Sequence, residues 1–292
     1  MARAIGVSDA SLKRWCDKGV ITSIRTVGGH RRLPLDAVVK FLRDSGHCLI
    51  RPEILGLPST TGTGKTVRDR AAEQFRESLE SGDEERAHRI CVDLHLARQP
   101  MFEILDQVVT PALQSVGDRW RHGEIDVFQE RRGVEICTRL MHVFREMLPA
   151  PQPGSPHAIG AAIEGDPYSL PTLMAELTLR EAGWRADSLG IGLPPESLIA
   201  ALHMYRPRLV WLSASTLTDA ARFAAQVDEL YAAATEYRAA LVLGGRALTD
   251  TVRAKLRFTV FCERVTHLRS FADALHSSSP PVDAIGGAST DA

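Results

Sequence analysis

Between Val67 and Leu148 apolar residues recur at three- and four-residue steps with almost no Pro or Gly between them. Ile90, Leu94 and Ala97 are followed by Ile104, Leu105, Val108 and Val109, and then by Val134, Ile136, Cys137, Leu140, Met141 and Phe144. That period gives each helix one apolar face and predicts a four-helix bundle over 67–148. Beyond Pro156 the pattern becomes short continuous runs, Ala158–Ile163, Leu209–Ser213 and Ala240–Gly244, with helical stretches between them. Runs of that kind at crossover spacing predict a doubly wound, Rossmann-like parallel sheet over 157–276. Residues 51–66 are rich in Pro, Gly, Ser and Thr, and residues 149–156 carry four prolines, so both read as linkers. The tail 277–292 has little to bury and is expected to be disordered.

The first 50 residues form a separate module. Ser8 is positioned to cap a helix that runs through Leu12 and Trp15, and Gly28-Gly29 makes a turn between basic extended arms before a closing helix over Asp36–Leu42. Charge sets this module apart. Residues 1–51 hold ten Lys or Arg against four Asp, a balance of +6, and the other 241 residues carry −7. A basic module on an acidic body is the pattern of a nucleic-acid binder with a separate sensing or assembly part.

The chain of 292 residues is 44% hydrophobic and 24% charged, a globular composition. No apolar run is long enough for a membrane span and no secretory signal opens the chain, so a cytoplasmic protein is expected. Its five cysteines form no CxxC pair, so neither a disulfide framework nor a cysteine zinc site is expected. No spacing of Ser, His, Asp or paired carboxylates suggests catalysis, and the chain is not expected to be an enzyme. Two weaker signals are set aside. Ser59–Thr66 ends like a phosphate-binding loop but lacks the preceding strand. His88, Cys91 and His95 share a helix face but are read as core edge and surface.

Ser8, Leu12-Lys13-Arg14-Trp15, Gly19 and Gly28-Gly29-His30-Arg31-Arg32 together resemble the MerR-type winged-helix family, over nearly all of residues 2–46. The family carries several more residues before Ala2, so the first helix is expected to be short. The resemblance implies a winged helix-turn-helix on double-stranded promoter DNA. Ser11, Lys13, Arg14 and Lys18 would act from the second helix, and Arg25, Gly28, Gly29, His30, Arg31 and Arg32 from the wing.

Val116–Arg131 is similar to the helical cap of cobalamin-binding modules, particularly the CarH/LitR-like light-responsive repressors. Trp120 and Glu130 match; Arg131 stands where those proteins carry the histidine taken up after light breaks the cobalt–carbon bond. After the first strand the family has an acid–x–His–x–x–Gly motif whose histidine binds cobalt from below. Here the residues are Glu164, Asp166 and Ser169. Ser215 and Leu217, then Gly244 and Gly245, stand where the family makes room for the nucleotide tail. Histidine-ligated adenosylcobalamin is therefore not expected. Three readings of the pocket stay open: it is vestigial, it binds another tetrapyrrole such as haem or a bilin, or it binds cobalamin through a different ligand. The resemblance implies a homo-oligomeric repressor, dimer or tetramer, of light- or stress-induced genes such as those for carotenoid synthesis. The alternatives are a light or redox sensor and a corrinoid carrier or enzyme, which uses the same helical-cap and α/β pair.

Overall fold

A computed structural model describes residues 1–45, apart from Gly6, Val27, Gly29 and His30, and residues 65–277. Gly29 and His30 of the expected DNA surface, the linker residues 51–64 with most of the phosphate-loop look-alike, and the tail beyond Ser277 lie outside the described residues.

In the first module the Ser8 hydroxyl accepts a hydrogen bond from the Ser11 N–H at 3.1 Å and starts α1 (Asp9–Asp17). The chain turns at Gly19, whose φ of +70° suits glycine, and forms an antiparallel pair of two-residue strands, β1 (Ile24–Arg25) and β2 (Arg31–Arg32). Helix α2 (Leu35–Ser45) closes the unit. Ile5, Ile21, Phe41 and Leu42 are its buried centre, and the Trp15 ring lies 5.2 Å from that of Phe41.

The apolar period from Val67 onward becomes four rods: α3 (Lys65–Ser81), α4 (Glu84–Leu96), α5 (Met101–Ile104) continuing through a π-helical turn (Leu105–Val109) into α6 (Thr110–Arg121), and α7 (Val127–Met147). Asp83 caps α4, and Asp126 with Gln129 forms a capping box at α7. Phe75, Leu79, Ile104, Leu105, Val108, Leu140 and Phe144 are fully buried in the common core.

Residues 157–277 form a five-stranded all-parallel sheet, in the order β4-β3-β5-β6-β7, and its helices. In chain order the elements are β3 (His157–Ala162), α8 (Leu170–Glu181), β4 (Arg185–Ser188), α9 (Pro195–Tyr205), β5 (Leu209–Ser213), α10 (Ala220–Glu236), β6 (Ala240–Gly244), α11 (Asp250–Arg253), β7 (Val260–Cys262) and α12 (Val265–Ser277). Leu209, Trp211 and Val242 pack with residues of α8 and α12 on one face; Val210 and Leu241 pack with α9 and α10 on the other. The strand order reverses between β3 and β5, and such switch points open crevices at the carboxyl ends of strands.

The helical half sits against α8, whose Leu170, Met174 and Leu177 belong to the bundle core. Two carboxylates staple the halves reciprocally. Glu181 of α8 accepts from the N–H groups of Met101 (2.7 Å) and Phe102 (3.1 Å) at the start of α5. Asp106, in the π turn, accepts from the N–H groups of Val265 (3.2 Å) and Thr266 (2.9 Å) at the start of α12, and from the Thr266 hydroxyl. Each places a negative charge on the positive end of the other half's helix. No described helix is long and apolar enough to cross a membrane.

Candidate functional site

A cavity of about 940 Å³ opens between the bundle and the carboxyl ends of the strands. That is the upper end of the range for pockets holding one small molecule. The bundle contributes Gln107 and Thr110 from the π-turn rod and Glu130 and Val134 from α7; the floor is made by Trp211, Ser213, Val242, Gly244, Cys262 and Leu268. The π turn borders the cavity through Asp106 and Gln107, a common place for that irregularity.

Where the strands end, side-chain room is minimal. Gly245 has φ +117°, and a Cβ there would lie 2.2 Å from the Ala214 carbonyl oxygen. Ser213 (5% exposed) and Ser215 border the cavity, but their hydroxyls are buried behind its wall and have no hydrogen-bond partner in the protein.

Asp166 is 2% exposed. Its carboxylate accepts from the Tyr168 N–H at 3.1 Å and the Ser215 N–H at 2.5 Å, one oxygen to each, joining the loop after β3 to the loop after β5. Tyr168 lines the cavity, and two guanidiniums lie over its ring, Arg131 at 5.4 Å and Arg246 at 5.9 Å from the ring centre. Arg131 is exposed and only loosely paired, 3.6 Å from Glu130.

Of the ten expected pocket positions, Glu130, Ser215, Gly244 and Gly245 line the cavity. Asp166 and Arg131 touch its rim through Ser215 and Tyr168. Trp120 is 40% exposed, and Glu164 faces α10, bonded to Arg222 (2.7 Å) and Gln226 (3.2 Å). Ser169 occupies the N-cap of α8 without a capping bond, and Leu217 packs on the α9–α10 side of the sheet. Ser213, Tyr168 and Trp211 were not expected. Ser213 hides in an apolar run, although it ends that run two residues before Ser215. No histidine is among the described residues lining the cavity.

On the basic module Lys13, Arg14 and Lys18 are exposed along α1 and its end, and Arg25, Gly28 and Arg32 are exposed on the hairpin. Arg31 and Ser11 are committed internally. Arg31 pairs with Asp17 and donates to the Lys13 carbonyl at 3.2 Å, tying the hairpin to α1 and holding the Asp17 carboxyl below its ordinary range. The Ser11 hydroxyl is 3.0 Å from that of Ser8.

No group of three or more His, Cys, Asp or Glu among the described residues could hold a metal ion. His88 meets the Ile136 carbonyl at 3.3 Å, and His95 is buried with its ring 6.0 Å from Phe144. Cys91 is buried and its thiol is pushed up, first by burial and then by Cys137.

Residues 71–144 match the family model described as the B12 binding domain. The chain is 30% identical over 283 residues to the HTH-type transcriptional repressor CarH of Myxococcus xanthus, covering 90% of this chain and 91% of that one. Among solved structures, the Methanosarcina barkeri monomethylamine corrinoid protein superposes with a TM-score of 0.60 at 16% identity, over 73% of this chain and 100% of that one. At that identity the likeness is one of fold: a helical unit on a parallel α/β domain.

Proposed function

Because the chain belongs to the family of the HTH-type transcriptional repressor CarH, we propose that it is a DNA-binding transcriptional repressor whose effector is cobalamin, held between the bundle and the sheet without a histidine–cobalt bond. The observation that carries this is the cavity of about 940 Å³, bounded on one side by the segment matched to the B12 binding domain.

The site fits the body of a large flat ligand. Gly244 and Gly245 present bare backbone on the wall, and Tyr168 with two guanidiniums over its ring stands at the rim. When bound, cobalamin supplies visible-light absorption and a light-cleavable bond to its upper ligand. The protein's part is to enclose and orient it. The basic N-terminal module supports regulation over catalysis.

That module is read as a winged helix-turn-helix. Helix α1 would enter the major groove, with Lys13, Arg14 and Lys18 on phosphates and bases and Arg25 and Arg32 on the flanking backbone. Arg31 holds the hairpin in place. One module is small for tight operator binding, so a homo-oligomer on promoter DNA is proposed.

The test is an absorbance spectrum and cobalt content of the purified chain mixed in darkness with adenosylcobalamin and passed through a desalting column, beside a gel shift on its own promoter before and after illumination. A coloured protein whose DNA shift changes with light supports the reading. A colourless protein that still shifts DNA removes the cobalamin part and leaves a ligand-independent regulator.

A further inference from the structure

Resting on the cobalamin reading for what the cavity takes, we propose that its entrance lies at the Tyr168 rim, is closed by the contact of Arg131 with the Tyr168 ring, and opens when the bundle swings off the sheet there.

Among the described residues, polar contacts between the two halves fall into two groups of unequal strength. In the first, Asp106 takes two N–H groups at the start of α12, and Glu181 takes two at the start of α5. Arg145 of α7 pairs with Glu176 of α8 at 3.4 Å, and Arg269 of α12 lies over the Phe102 ring at 5.3 Å. These contacts act together with the packing of Leu170, Met174 and Leu177 into the bundle core. The second group is a single contact. Arg131, near the start of α7, is exposed and lies over the Tyr168 ring at 5.4 Å, with Glu130 a loose 3.6 Å away. An exposed cation–π contact shifts an equilibrium by about two- to fivefold, far less than two capped helix starts and a shared apolar core. The halves therefore part first at Tyr168.

On the sheet side the ring is anchored. The Tyr168 N–H donates to Asp166, whose other oxygen holds the loop after β5. Arg246, over the same ring at 5.9 Å, donates from Nε to the Ser215 carbonyl at 3.3 Å, so ring, guanidinium and both loops form one body. On the bundle side Arg131 follows Glu130, which lines the cavity, and α7 is tied to α8 further along, at Arg145. Tyr168 follows β3 and Thr266 follows β7, with β5 and β6 between those strands, so the weak contact and the Asp106 staple stand apart across the sheet. Cys262 supplies a reporter of opening. It ends β7, lines the cavity and is 8% exposed, and burial pushes its thiol up to about 11. Cys91 and Cys137 are buried too, but inside the bundle core, where parting of the halves does not uncover them.

The experiment is N-ethylmaleimide labelling of the ligand-free full chain over time, with each cysteine read by peptide mass spectrometry. Arg131→Gln and Tyr168→Leu are expected to speed modification of Cys262 by about two- to fivefold, the value of one exposed cation–π contact, and to leave Cys91 and Cys137 as slow as before. Tyr168→Phe keeps the ring and should behave as the wild type. A Cys262 rate unmoved by Arg131→Gln overturns the proposal, and so does a rise at all three thiols, which would mean a loosened fold. Arg131→Gln changes an exposed side chain and decides alone if Tyr168→Leu does not fold. Stopped-flow mixing with adenosylcobalamin in darkness, followed by quenching of protein fluorescence, is the second readout. Association and dissociation should accelerate together in Arg131→Gln, with the dissociation constant unchanged. Faster dissociation alone would show that Arg131 grips the ligand and does not guard its entrance, which also overturns the proposal. A wild-type chain that binds no adenosylcobalamin overturns the cobalamin reading instead, and the labelling rates then decide the entrance by themselves.

Discussion

Two buried aspartates show how far residue type and local chemistry can part. Asp93 of α4 is 5% exposed, has an oxygen with no partner, and is pushed by burial up to about 7. Its folded value lies above the ordinary 3.8, so the native state binds more protons than the unfolded chain between about pH 4 and 7. The penalty is absent at low pH, grows through that window, and is complete above it. Asp93→Asn is therefore expected to stabilise the protein by about 1–3 kcal/mol at pH 8, less than the full shift implies because a buried amide also wants partners. The gain should fade towards pH 4. Urea unfolding of both proteins at the two pH values checks this, and an equal difference at both would contradict it. Asp166 is as buried, yet its oxygens meet two N–H groups. The sequence marks Asp166 by its place in a motif but gives no hint of those bonds, whose partner Ser215 is 49 residues away. Asp93 it does not mark at all: in Ile90-Cys91-Val92-Asp93-Leu94 it looks like one polar step of an amphipathic helix.

At the level of elements, legibility followed burial. The runs of β3, β5 and β6 are read directly from sequence because central parallel strands are apolar on both faces. The edge strands β4, Arg185-Ala186-Asp187-Ser188, and β7, three residues long, escape because an edge strand needs neither length nor an apolar pattern. The π turn has no compositional signal either, since Leu105–Val109 continues the apolar helix period. The reciprocal caps are hidden for a different reason: each joins residues far apart in sequence, Asp106 to α12 and Glu181 to α5. Helix caps are typically worth about 1 kcal/mol, and these also bind one half to the other. Glu181→Ala and Asp106→Ala are each expected to cost about 1–2 kcal/mol. In the double variant the single calorimetric transition should divide into separate melting of bundle and sheet. One unbroken transition, lowered by the sum of the two single losses, would mean that core packing through Met174 and Leu177 couples the halves by itself.

Across the whole molecule, charge decides how the proposed repressor meets DNA. The first 51 residues carry +6 and the remainder −7, so attraction to phosphate is confined to the module while the body is repelled. Within the module the cations are not equivalent. Arg32 is exposed on β2, whereas Arg31 is half-buried and paired with Asp17. Each phosphate neutralised by a protein cation contributes a slope of about −0.9 to the dependence of log affinity on log salt. Arg32→Gln is therefore expected to flatten that slope by about 0.9 if one module binds the operator and by about 1.8 if two do. The same titration thus reports how many copies assemble on DNA. Arg31→Gln releases the hairpin from α1 and leaves the Asp17 charge uncompensated. It should weaken binding at every salt concentration with the slope little changed. Fluorescence anisotropy with labelled promoter DNA across a salt series measures both. Equal flattening by the two variants would show that the Arg31–Asp17 pair opens on DNA and that Arg31 reaches a phosphate after all.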